Sequence, residues 1–302
     1  EGRDYNLAVS SNLYAGKGKI TINGMKYYTG STSVTFTINK AAQSLKIKKS
    51  QTYVSVGKTA SVTLTGAKGT KSFLSSNESI AAVSGSGIIT AKKAGRVRIT
   101  AKSASTSNFK AASASVELNI VPAATASFKA ENRPDGIQLK WKKVTGANGY
   151  YLYRDDTRIA VINNGATDSY IDKKADSNGT SYTYKITAKA SSGKSTLSKS
   201  VSIFRIKAPV LSSLKNNAAG KASMTWKKNA KATGYEILYS TDQSFKSGKK
   251  IKKLKGGNTV TGVITGLVKG KKYYFRVRAV KTVDTKTIRS CWSGTRSIII
   301  KR

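Results

Sequence analysis

Apolar and polar positions alternate along most of this chain. In "IQLKW", Ile137, Leu139 and Trp141 fall on one side of an extended segment. "YTYKITA" places Tyr182, Tyr184, Ile186 and Ala188 together, and "YFRVRAV" sets Phe275, Val277 and Ala279 against Arg276 and Arg278. A period of two marks a strand with one buried face. The runs are short and are broken by Gly, Asn, Asp and Ser, and helical periodicity is hard to find. Many short strands with turn signals between them predict an all-β chain of sandwiches. At 302 residues, a single core is too small an account, and a few domains are expected.

A repeat sharpens this. "WKKVTGANGYYLYRDD" at 141–156 parallels "WKKNAKATGYEILYSTD" at 226–242, with Trp141 to Tyr150 spaced as Trp226 to Tyr235. Each copy later has a Tyr opening a long alternating strand, Tyr182 and Tyr273. With "GLVKGKKYYFRVRAV" at 266–280, these features resemble the fibronectin type III family over 123–208 and 209–302. The resemblance implies structural roles for Trp141, Tyr182, Trp226 and Tyr273. Residues 44–122 resemble instead the group 2 bacterial immunoglobulin-like domain. That likeness is carried by Gly57, the Ser75-Ser76-Asn77-Glu78 turn, Ala82-Val83, Gly87, Ala94-Gly95 and Ile99-Thr100-Ala101. Phe73-Leu74 stands where that family often has a Trp. Residues 1–43, with Gly24, Tyr28, Gly30, Phe36 and Ile38, resemble the C-terminal part of a bacterial Ig-like (MBG-type) repeat module. Either that module is cut short or the piece leans on its neighbour.

The expected fold is therefore all-β: tandem Ig-like and fibronectin type III β-sandwiches arranged as an elongated, monomeric rod. The linkers "NKAAQS", "VPAAT" and "IKAPV" are short, and two contain Pro, which favours semi-rigid joints.

Composition changes the picture most through charge. There are 54 Lys+Arg against 14 Asp+Glu and no His, for a net charge of +40. The single Cys291 excludes an intrachain disulfide. No apolar run approaches the roughly 18 residues that a membrane-spanning helix needs.

Catalysis is disfavoured. Without His there is no imidazole base and no His-ligated metal. A Ser–Lys pair could serve as nucleophile and base, but no motif surrounds one. "GKGKI" and "GAKGTK" lack the full phosphate-loop pattern. Asp155, Asp156, Asp168, Asp172 and Asp176 form the one acidic concentration, and its spacing is not a calcium loop. No cofactor and no metal are expected.

What remains is the basic charge, which is uneven. Residues 209–302 hold 22 Lys+Arg against 3 Asp+Glu, whereas 123–208 hold 15 against 7. "KSGKKIKKLKGG" alone contributes Lys246, Lys249, Lys250, Lys252, Lys253 and Lys255. In a type III sandwich this stretch lies between the third strand (Tyr235–Ser240) and the fifth, as an edge strand and its turn. Lys269, Lys271 and Lys272 fall in the turn before the sixth strand, and Arg276 and Arg278 point outward from it. Two readings follow. Lysine on an edge blocks edge-to-edge pairing. Alternatively, these eleven cations bind a polyanion such as wall teichoic acid, glycosaminoglycan, mucin or nucleic acid. Lysine outnumbers arginine roughly three to one. Since lysine acts as a point charge, such binding would be salt-sensitive and weakly selective. Sequence-specific nucleic-acid reading is disfavoured, because no helix is available to enter a groove. "CWSGTRS" resembles half of the Trp-Ser box of cytokine-receptor type III domains, which implies a structural Trp292 lying between Arg276 and Arg278; the rival reading is an exposed aromatic that stacks on a sugar ring.

The resemblance implies a non-catalytic stalk or adhesion segment of a secreted or cell-surface bacterial protein, as in gut Gram-positive (Clostridia-type) proteins. Its partner would be an anionic polysaccharide or cell-wall polymer, or a host surface glycan or protein. Two alternatives stay open: an accessory region of a large secreted enzyme, and a carbohydrate-binding module.

Overall fold

Residues 2–301 are described by a computed structural model. They form 27 short strands, with no helix among the described residues. The all-β expectation therefore holds. Two compact units are present: residues 1–124 with 144–149 and 188–196, and residues 125–143, 150–187 and 197–302.

In the first unit, β1 (Tyr5–Ser10), β2 (Gly16–Gly24) and β3 (Ser31–Ile38) make an antiparallel sheet. Register places Leu7 beside Ile22 and Ile20 beside Val34. One face is thus apolar, yet Leu7, Val9 and Val34 are exposed. The piece does lean on its neighbour: the Ala15 N–H donates to Asn108 Oδ1 at 2.8 Å and the Lys110 N–H to the Ala41 carbonyl at 2.8 Å.

That neighbour comprises β4 (Lys46–Lys49), β5 (Tyr53–Ser55), β6 (Thr59–Thr65), β7 (Lys71–Ser75), β8 (Ala81–Val83), β9 (Ile88–Ala91), β10 (Gly95–Ser103) and β11 (Ala112–Val121). They pair as two four-stranded sheets, β5-β11-β10-β7 and β4-β6-β9-β8. Val62, Ile89, Ile99, Leu118 and Ile120 fill the space between them. Phe73 packs on this core while Leu74 faces out, as strand alternation requires.

A third group contains β12 (Phe128–Arg133), β13 (Gly136–Trp141), β14 (Gly149–Arg154), β15 (Thr157–Ile162), β16 (Ser169–Asp172), β17 (Ser181–Ala190), β18 (Gly193–Lys194) and β19 (Val201–Phe204). One sheet runs β12-β13-β16; in the other, β17 lies between β14 and β19. Ile137, Leu139, Trp141, Tyr182, Tyr184 and Ile186 are buried. The five acidic residues do not gather. Asp156 pairs with Lys185, Asp172 with Arg154, and Asp176 with Arg205 and Lys207, while Asp155 accepts the Thr183 N–H. Asp172 is buried and also accepts the Tyr184 hydroxyl at 3.0 Å. Burial, with the Asp172 charge, pushes the Tyr184 hydroxyl far above its ordinary range.

The fourth group has the same plan. β20 (Leu211–Ala218), β21 (Lys221–Trp226) and β24 (Thr261–Ile264) form one sheet. β22 (Gly234–Ser240), β23 (Lys250–Lys255), β25 (Lys272–Val283), β26 (Lys286–Arg289) and β27 (Arg296–Ile299) form the other. The sequence repeat becomes a repeated ring pair: Trp141 and Tyr150 lie 5.2 Å apart between centroids, Trp226 and Tyr235 5.3 Å. Between the last two groups, Arg205 is fully buried. Its guanidinium donates to the Arg133 carbonyl at 2.7 Å and to Asp176 at 2.7 Å. Arg205 holds the Asp176 carboxyl below the usual carboxylate range, with Lys207 adding to the effect.

Candidate functional site

The lysine-rich stretch forms a turn followed by an edge strand. The turn is built by Asp242. Its carboxylate accepts the Ser247 N–H at 2.9 Å, the Lys246 N–H at 2.8 Å, and the Ser244 N–H and hydroxyl, each at 2.8 Å. These donors, first the Ser247 N–H and then the Ser244 hydroxyl, hold the Asp242 carboxyl well below the usual range. An Asp whose side chain caps the following backbone fixes a tight turn. Here it puts Phe245 in the left-handed region at φ 55° and buries that ring.

After the turn, β23 pairs antiparallel with β22, with Lys253 opposite Glu236 and Lys255 opposite Gly234. β23 is the outermost strand of its sheet. Alternation turns Leu254 inward onto the core, and Lys252 shares that side. The Lys252 ammonium donates to the Val263 carbonyl of the other sheet at 2.8 Å, so it is partly committed to the fold. Lys246, Lys249, Lys250, Lys253 and Lys255 are exposed, as are Lys269 and Lys271 in the turn before β25. None of these seven has an ion-pair partner among the described residues. Lys272, at the start of β25, lies over the Tyr274 ring at 5.4 Å.

The two arginines expected on this face are occupied. Register sets Glu236 directly across from Arg278, and Arg278 Nε donates to Glu236 Oε2 at 2.7 Å. Arg289 lies 3.4 Å from the other Glu236 oxygen. Arg278 also stacks on Trp292, 4.1 Å from the ring centroid. Arg276 does not share that ring. It stacks on Phe245 at 4.5 Å and donates to Thr295 Oγ1 at 2.7 Å. The expectation that Trp292 lies between both guanidiniums is corrected: the Asp242 turn delivers a second aromatic, so each arginine has its own. Lysine supplies the free charge of this face, and arginine is spent on the protein.

Trp141, Trp226 and Tyr182 are buried. The Trp226 indole N–H donates to the Thr259 carbonyl at 3.1 Å. The Tyr273 hydroxyl accepts the Val268 N–H at 3.2 Å, which ties the start of β25 to the preceding turn as in a tyrosine corner. Glu236, Asp242 and Phe245 are the site residues that sequence reasoning missed. Glu236 was findable, because pairing "YEILYS" with "FRVRAV" in antiparallel register puts it opposite an arginine.

Among solved structures, the chain is similar to the FN1–FN3 domains of chicken CNTN1, with 14% identity and a TM-score of 0.36, covering 85% of this chain and 98% of that one. It is also similar to the structure of a mutant called FN3tt, with 26% identity and a TM-score of 0.25, covering 28% of this chain and 96% of that one. No curated protein matches the chain. Residues 207–290, which contain the Trp226–Tyr235 pair and the lysine edge, match the family model of the fibronectin type III domain.

Proposed function

We propose that this chain is a non-catalytic stalk or adhesion segment of a bacterial secreted or cell-surface protein. Its last module, 209–302, binds anionic polymers such as wall teichoic acid, glycosaminoglycan or mucin. The modules before it are a partial Ig-like piece (1–43), a group 2 Ig-like domain (44–122) and a further type III domain (123–208), in a protein of the Gram-positive, Clostridia-type kind.

One observation carries the binding reading: seven exposed lysines, five along the β23 edge and the turn that leads into it and two in the turn before β25, lack ion-pair partners among the described residues. Lysines placed only to block edge pairing would need no such concentration in the turns. Point charges on flexible stems suit a polymer of irregular sequence, because affinity then comes from counterion release rather than from shape.

The test is heparin chromatography of the full chain against a variant with Lys249, Lys250, Lys253 and Lys255 changed to Gln. The variant is expected to keep its circular dichroism spectrum and to elute at clearly lower salt. Unchanged elution makes the lysines surface dressing. A broad activity screen accompanies it: a turnover abolished by one point substitution refutes the non-catalytic assignment.

A further inference from the structure

Across the sheet from the lysine edge, on the far side of β25, the same type III module contributes to a groove of about 470 Å³ between residues 207–211 and 291–296, with Pro134 at its wall. That size lies in the ~300–1,000 Å³ range of small-ligand sites. Three features of its lining converge.

The first is aromatic. Trp292 is half-buried on the groove wall, whereas Trp141 and Trp226 are 5% and 3% exposed. Arg278 holds the indole in place from one side, and the indole N–H has no hydrogen-bond partner among the described residues. The second is charge. Arg296 and Lys207 line the groove and no carboxylate does. Arg296 is exposed and without an ion pair among the described residues, while Lys207 is shared with Asp176 at 2.6 Å. The third is a hydroxyl. Thr295 Oγ1 accepts from Arg276, which leaves its own hydrogen to donate.

A ligand that uses all three must offer a flat apolar face, hydrogen-bond acceptors and a negative charge within one ring. A phosphate chain offers only the charge. A pyranose bearing a carboxylate offers everything: its C–H face lies on the indole, its hydroxyl oxygens accept from Thr295, and its carboxylate meets the Arg296 guanidinium in the favoured bidentate geometry. We propose that this groove seats a carboxylated sugar residue of an acidic polysaccharide. The proposal rests on the polyanion reading and refines it. The lysine edge supplies charge-driven affinity, and the groove supplies preference for a sugar over other polyanions.

The burial of the other two tryptophans makes Trp292 its own reporter. Full-length protein is titrated with hyaluronan oligosaccharide, inorganic polyphosphate, poly-glutamate and neutral dextran. Intrinsic fluorescence and a separate affinity measurement are followed together. Hyaluronan is expected to change the emission saturably, and polyphosphate and dextran to leave it unchanged. Arg296→Gln, which keeps the reporter, is expected to weaken hyaluronan binding at least fivefold with polyphosphate affinity unchanged. Trp292→Ala is expected to do the same by the affinity readout. Poly-glutamate that matches hyaluronan in both readouts would overturn the sugar assignment in favour of an acidic peptide. Polyphosphate and hyaluronan that bind equally, without any emission change, would overturn the groove and leave the lysine edge standing. Failure of every polyanion to bind would overturn both.

Discussion

Replacing Glu236 with Gln tests the electrostatic logic of the last module. Glu236 is 4% exposed in the middle of a sheet face, and it is one of three carboxylates among 22 Lys+Arg in 209–302. Arg278 reaches it with two nitrogens, and Arg289 approaches the other oxygen at 3.4 Å. A charge-assisted hydrogen bond contributes about 1.5–3 kcal/mol. Breaking a buried pair costs about 3–5 kcal/mol when the surviving charge stays dry. The Arg278 side chain is 20% exposed and that of Arg289 40%, so both can partly rehydrate. The expected loss is therefore nearer ~2–3 kcal/mol, the lower part of the combined range. In a module of this size each kcal/mol moves the midpoint by about 4–8 °C, so the transition assigned to this module should fall by more than 8 °C. Thermal unfolding by calorimetry on the full chain resolves it. Raising salt should narrow the gap between the two proteins without closing it, because the pair is shielded from solvent ions. A shift below 2 °C would refute the reasoning, and would mean that Glu236 is dispensable to the Arg278 that stacks on Trp292.

Gly262→Ala should destabilise the same module by about 1–3 kcal/mol through overpacking, since the added methyl would collide with Ile237 Cδ1 and lie 3.1 Å from Trp226 Cη2; urea denaturation measures it. Asp176 gives an acid signature. Its folded pKa lies below its unfolded value of about 3.9, so its contribution is fully present above that value and is lost as pH falls through the lower folded one. Wild type should therefore exceed Asp176→Asn in midpoint at pH 6, and the difference should shrink progressively below about pH 4; a difference that grows on acidification contradicts the pairing with Arg205.

The strands of the two last groups were legible where they bury one face. Ile137, Leu139 and Trp141, or Phe275, Val277 and Ala279, announce burial by period alone, and all six are buried. The edge position of the lysine stretch was legible from the type III resemblance, which sets it beside the strand that begins near Tyr235. The partners of Arg276 were not. Phe245 lies 31 positions earlier and reaches Arg276 only because Asp242 curls the intervening turn into a left-handed residue. No alternation encodes that. Arg205 was hidden for a similar reason: a buried guanidinium in a linker reads as one more surface cation until Asp176 and the Arg133 carbonyl are brought to it. The unpaired lysines themselves look alike in sequence; alternation sets Lys252 apart from Lys253 and Lys255, and the Val263 carbonyl within its reach sets it apart from Lys250.

Free lysine charge on the last module is proposed to bind polyanions. This is tested most directly by titrating heparin into the full chain over a series of salt concentrations, beside the Lys249, Lys250, Lys253 and Lys255 to Gln variant. Each lysine engaged on the polymer should add roughly 0.7–0.9 to the slope of log Kobs against log salt. The account predicts a steep slope for wild type and a slope shallower by about 3 for the variant. Equal slopes for the two proteins would contradict it.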